Sequence, residues 1–148
     1  MITDLLKSDM TFIPNTTQID EANSRIPHKE EFKRFGMSVE FTIRDYLIKS
    51  GEVLDFSPDL YAPYDWSQNN VWYDVKCSTS GATHTISSRE KNEWYDRLKQ
   101  GLDTIIISTK RDSINSAKFN KFIYFNDLVK NRLIALSHKI PGTYYFYY

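Results

Sequence analysis

From Pro27 onward the apolar positions fall at helical spacing. Phe32, Phe35, Val39, Ile43, Tyr46 and Leu47 recur every three or four residues, with Glu30 and Glu31 placed early, where the helix dipole favours acids. Pro27 suits a first turn and Gly51 a stop, so one long helix is predicted between them. The pattern then shortens to strand-like runs. Val53–Phe56 reads as a strand, followed by a bend from Pro58 to Pro63. Tyr64-Asp65-Trp66 and Val71–Lys76 read as the arms of a hairpin, with a turn through Ser67–Asn70. A short extended piece, His84–Ile86, precedes Ser87 and Glu90, which form a capping-box signature for a helix over Ser88–Gln100 closed by Gly101.

The β-branched run Thr104–Ser108 predicts a central buried strand, and Phe122–Phe125 another. Asn126 is expected to cap a helix reaching about Ala135, and Tyr144–Tyr148 to close the chain as an edge strand. Residues 1–26 show only weak periodicity and are expected to form an irregular arm with one short helix at most. The resulting order is helix, three strands, helix, strand, then a strand-helix-strand extension. This is a mixed α/β (α+β) arrangement in a single domain, with its core over residues 27–110 and an extension over 111–148.

Composition narrows this picture only modestly. The chain has 148 residues, 41% of them hydrophobic, enough for one core rather than two. Net charge is zero, but the first 60 residues hold 11 acids against 7 bases and the remainder 8 against 12. That polarity is compatible with a polyanionic partner on the second part. The single cysteine, Cys77, excludes an internal disulfide and a cysteine-based zinc cluster. The start of the chain lacks the pattern of a signal peptide, and no apolar run approaches the roughly 20 residues that span a bilayer. A soluble cytoplasmic protein without membrane contact is expected.

The chemistry concentrates at Tyr73-Asp74-Val75-Lys76. Residues two apart on a strand share a face, so Asp74 and Lys76 project together and Val75 points the other way. Asp is a poor strand former and needs a reason to be there. Upstream, Asp65 sits where a tight hairpin brings it beside Asp74. Asp59, in a literal Pro58-Asp59, and the more distant Asp55 are alternatives. On the long helix, Gly36, Glu40, Ile43 and Leu47 share one stripe, which sets Glu40 on the apolar side. The alternative for Glu40 is an ordinary ion pair with Arg44 one turn on.

These residues and the order of elements resemble the PD-(D/E)XK nuclease superfamily, with a restriction-endonuclease-like α-β-β-β-α-β core of the small phage or mobile-element type. Gly36-x-x-x-Glu40 is similar to a segment on that family's first helix, and Asp65 with Asp74-x-Lys76 to its central motif. The resemblance implies a Mg²⁺- or Mn²⁺-dependent deoxyribonuclease, more an endonuclease than an exonuclease. It implies metal ligands Asp65, Asp74, Glu40 and the main chain at Val75, with Lys76 as the catalytic cation. DNA is the implied partner, with Ser78, Arg89 and Lys91 as candidate contacts, and a homodimer is the arrangement that would cut both strands. Thr79, His84 and the basic group Lys110, Arg111, Lys118 and Lys121 carry weaker expectations. The alternative function is a nuclease-fold module without catalysis that binds nucleic acid or inhibits a host protein.

Overall fold

A computed structural model describes residues 1–147. The first 25 residues are more ordered than their weak periodicity predicts. Ile2–Leu5 forms α1, Thr11–Phe12 forms β1 and Thr16–Arg25 forms the ten-residue α2. Asn15 starts α2 with a reciprocal capping box: its Oδ1 accepts from Gln18 N–H at 2.9 Å, and Gln18 Oε1 accepts from Asn15 N–H at 2.9 Å. The Asn-x-x-Gln spacing is a capping signal, and it outweighs the sparse apolar pattern downstream. Ile2, Leu6, Phe12 and Ala22 are all buried, so this segment belongs to the core instead of forming an arm. Asn15→Ala is expected to destabilise the protein by about 1 kcal/mol, read as a shift in the denaturant midpoint at unchanged slope.

The long helix, α3, runs over Glu31–Lys49. Pro27 lies in the turn before it, so the helix begins four residues later than expected. Next come β2 (Asp55–Phe56), β3 (Trp66–Gln68), β4 (Val71–Ser78) and β5 (Thr83–Ser87), then α4 over Ser88–Lys99. The chain continues through β6 (Thr104–Ser113), β7 (Ser116–Tyr124), α5 (Phe125–Lys130), β8 (Ile134–Leu136) and β9 (Thr143–Tyr147).

A six-stranded sheet has the order β1-β7-β6-β4-β3-β2, with β4 and β6 parallel and its other pairs antiparallel. A parallel pair needs a crossover, which α4 supplies. As expected from its β-branched run, β6 is central, with Thr104–Thr109 buried. A second sheet has the order β5-β9-β8.

That second sheet corrects two expectations. The C-terminal strand lies in the middle of its sheet, not at an edge, with Tyr148 outside the described residues. The helix expected from Asn126 to Ala135 begins at Phe125 and ends at Lys130, and Ile134–Leu136 pairs with β9 instead. Strand β9 also pairs with β5, so the C-terminal residues complete the core and are not an extension of it.

The pleat of β4 sorts its side chains between two apolar layers. Tyr73, Val75 and Cys77 face α3, packing with Phe35, Val39, Ile43, Leu47, Ile105 and Ile107. Trp72 faces the opposite layer, formed by Trp94, Ile106, Ile123, Phe125, Leu128 and Phe146. Gly36 lies over Cys77, but a β-carbon there would sit 3.8 Å from the Cys77 β-carbon, an ordinary contact. Close approach of α3 to the sheet therefore does not require this glycine. No helix among the described residues is long and apolar enough to cross a membrane.

Candidate active site

The β3–β4 hairpin sets the site. Asn69 and Asn70 both have positive φ, at 52° and 65°, which matches the twist demanded by a two-residue hairpin loop. The ladder from Gln68–Val71 to Trp66–Tyr73 follows from that turn. Asp65 then leaves the ladder beside Asp74. Its N–H donates to the Tyr73 carbonyl at 2.9 Å, and its Oδ2 accepts from Val75 N–H at 2.7 Å. One side-chain oxygen thus takes a main-chain donor of β4 and fixes the upstream acid against the strand.

Asp74 and Lys76 share a face of β4, as the strand period predicts. Lys76 Nζ lies 3.2 Å from Asp74 Oδ2 and 2.9 Å from Glu90 Oε2. Asp74 is 5% exposed, and its Oδ2 has no aligned hydrogen-bond donor despite the nearby ammonium. Glu90 comes from the first turn of α4, where its Oε1 accepts from Ser87 N–H at 2.9 Å and its own N–H donates to Ser87 Oγ at 3.0 Å. The expected capping box is present, but its acid also grips the lysine. Sequence reading assigned Glu90 only the first of these roles, because nothing in the chain pairs position 90 with position 76 until β4 and α4 are packed together. Below the lysine, Trp94 donates its indole N–H to the Pro63 carbonyl at 2.6 Å, which ties the segment leading into Asp65 to α4.

Glu40 reaches the same place from α3. Its alternative partner is otherwise engaged: Arg44 donates to both Glu21 oxygens at 2.9 and 3.0 Å and to Asp45 at 2.8 Å. Burial, with the negative charge of Asp74 adding to it, pushes the Glu40 carboxyl up to about 7 even though Asp65 offers it a hydrogen bond. Asp65 is held well above the usual carboxylate range, first by burial and then by Glu40, against the pull of the Val75 N–H. Asp74 is raised too, by burial and by Asp65, with Lys76 opposing. Burial works against the charged form of both Lys76 and Glu90, but Asp74 and then Glu90 hold the lysine raised, while Lys76 and the Ser87 N–H hold the glutamate lowered. Three carboxyls with too little positive charge therefore adjoin one firmly protonated ammonium.

The other candidates lie elsewhere. Asp59 is exposed, and its Oδ1 accepts from Tyr61 N–H at 2.7 Å in a turn; Asp55 is exposed on β2. Asp65 is thus the upstream acid that adjoins Asp74. Ser78 Oγ accepts from Gly81 N–H at 2.8 Å, closing the loop after β4, and Thr79 is exposed in that loop. Arg89 bonds Glu93 at 3.1 Å and the Tyr61 carbonyl at 2.6 Å, while Lys91 sits over the Tyr95 and Tyr144 rings. His84 is buried, with Nε2 2.7 Å from Ser108 Oγ, and burial reinforced by the Lys76 charge pushes it down to about 4. Arg111 is paired with Glu31 and Lys118 lies 4.0 Å from Asp112, while Lys110 stands opposite Lys118 across the β6–β7 ladder.

Two cavities open on the carboxylates, and Glu40 lines both. One, of about 390 Å³, also borders Asp65; the other, of about 340 Å³, borders Val75 and Lys76. Among the described residues no group of three or more His, Cys, Asp or Glu side chains forms a ready metal cage. Oxygen donors are nevertheless at hand in Asp65, Asp74 and Glu40, and Asp74 Oδ2 is a buried oxygen short of a donor. Mg²⁺ commonly takes one or two carboxylates and keeps several waters, so these oxygens are the donors that would meet a hard divalent cation. No family model matches the chain, and no curated protein or solved structure matches it.

Proposed function

We propose that this protein is a metal-dependent deoxyribonuclease of the PD-(D/E)XK type. The observation that carries the reading is the Lys76 ammonium, held 3.2 Å from Asp74 and 2.9 Å from Glu90 beside carboxyls raised by burial and by one another. An uncompensated cluster of this kind costs stability unless a cation or a phosphodiester chemistry makes use of it. The chain order is α3-β2-β3-β4-β5-α4-β6; with β5 set aside in the second sheet, antiparallel β2, β3 and β4 and a parallel β6 are compatible with the same reading.

Asp65, Asp74 and Glu40, with the main-chain oxygen of Val75, would hold the divalent ion. When bound, it supplies Lewis-acid polarisation of the phosphodiester and a more acidic water. Lys76 is protonated at neutral pH, so its part is electrostatic: it orients the attacking water and offsets charge building on the phosphate oxygens. Glu90 keeps the ammonium on the β4 face and away from solvent. Asp65, locked by the Val75 N–H, keeps its carboxyl in register with Asp74.

Cleavage of DNA is expected to vanish in excess chelator and to return with Mg²⁺ or Mn²⁺, measured as conversion of a labelled oligonucleotide. Undiminished cleavage in chelator would overturn the metal mechanism. Retained DNA binding without cleavage under every metal condition would leave the binding-module alternative instead.

A further inference from the structure

The cavity of about 390 Å³ on the Glu40 and Asp65 side has features the carboxylate chemistry does not use. Its walls come from α2, α3, β2, β3 and the segment joining the last two. Arg25 stands on the last turn of α2, with its side chain half-exposed and Glu21 as its ion partner at 3.2 Å. Phe56, on the edge strand β2, is 53% exposed and presents its ring beside the charged site. Ser57 adds a hydroxyl. Trp66 also lines the cavity, with its indole N–H sealed inside the apolar core.

The wall therefore offers a cation, a hydroxyl and an open aromatic face, next to the carboxyls of Glu40, Asp45 and Asp65. That is the complement of one nucleotide: phosphate oxygens for Arg25 and the hydroxyl, and a base for Phe56. The volume falls within the range of about 300–1,000 Å³ that encloses a small ligand and is far too small for a duplex. A base enters such a space only when it has left the stack, and aromatic stacking of unpaired bases is how single strands are gripped without sequence preference.

We infer that this cavity holds one unstacked nucleotide beside the scissile phosphate, which makes an unpaired DNA strand the substrate of the site. The inference rests on the nuclease reading above for the word substrate, but the binding pocket stands on its own. The second cavity, on the Lys76 side of Glu40, gives the strand its way out across the carboxylates.

The test is fluorescence anisotropy on the intact protein in chelator, with a labelled oligothymidylate and the same strand annealed to its complement. Cleavage of both is then followed in Mn²⁺. Wild type is expected to bind the single strand at least tenfold more tightly than the duplex. Phe56→Ala and Arg25→Ala should each weaken single-strand binding by about tenfold while leaving duplex binding unchanged. Both residues have exposed side chains, so folding is checked by an unaltered thermal midpoint, and Phe56→Trp should restore affinity. Equal affinity for the two forms, or a Phe56→Ala protein that binds the single strand as wild type does, overturns the pocket even if the enzyme cleaves DNA. Selective single-strand binding without cleavage in any metal would sustain the pocket and defeat the nuclease reading.

Discussion

Replacing Lys76 is expected to remove turnover and spare the metal. Lys76→Ala is expected to lower the cleavage rate by 10²-fold or more, on the order of what one positioned electrostatic group supplies in a transition state. Metal affinity should hold or rise, because a positive charge 3.2 Å from Asp74 has been taken away. Asp74→Asn should do the opposite, losing metal and activity together. The lysine is also structural, since its loss leaves Asp74 and Glu90 buried without their counter-charge, and breaking a buried pair typically costs about 3–5 kcal/mol. Lys76→Gln keeps a donor for Glu90 and separates the two effects. A folded Lys76→Gln protein that cleaves at the wild-type rate would remove the lysine from the chemistry.

The central geometry was legible because a strand has a period of two. Once Val71–Lys76 is read as a strand, Asp74 and Lys76 must share a face, and the Asn69-Asn70 turn brings Asp65 alongside. Glu40 was legible for the analogous reason on a 3.6-residue period. What escaped was contact between elements far apart in the chain. Glu90 looked complete as a cap, yet its second oxygen serves Lys76, 14 residues away, in a pairing that no local pattern encodes. Arg25 was invisible because α2 is announced only by Asn15 and Gln18, ahead of a helix with few apolar residues. Ile134–Leu136 reads as readily as the end of a helix as a strand. Pairing with β9 decides it, and that partner lies beyond a loop that ends in Pro141-Gly142.

Charge at the site should be measurable in stability without any substrate. Glu40 is pushed up to about 7 in the folded chain against an ordinary 4.5. A carboxyl whose folded value is raised contributes stability that is present in full below 4.5 and lost as pH climbs through 7. Asp65 and Asp74 carry shifts of the same sign. His84 works the other way, because its folded value of about 4 lies below its ordinary 6.5, so stability rises with pH across that interval and masks the loss. Glu90, lowered from 4.5, acts only in more acid solution. The Glu40 contribution is therefore isolated by comparing Glu40→Gln with wild type in chelator. The near-isosteric variant should gain on wild type steadily from pH 5 to pH 8, by up to roughly 3 kcal/mol. In a domain of this size that is a widening of the thermal midpoints on the order of 5–10 °C. At pH 8, Mg²⁺ or Mn²⁺ should raise wild type more than the variant and close the gap, because the ion replaces the missing proton and needs the carboxylate the variant lacks. Parallel stability curves across that pH range would show that Glu40 carries no excess charge. A gap that divalent ions leave untouched would take it out of the metal site.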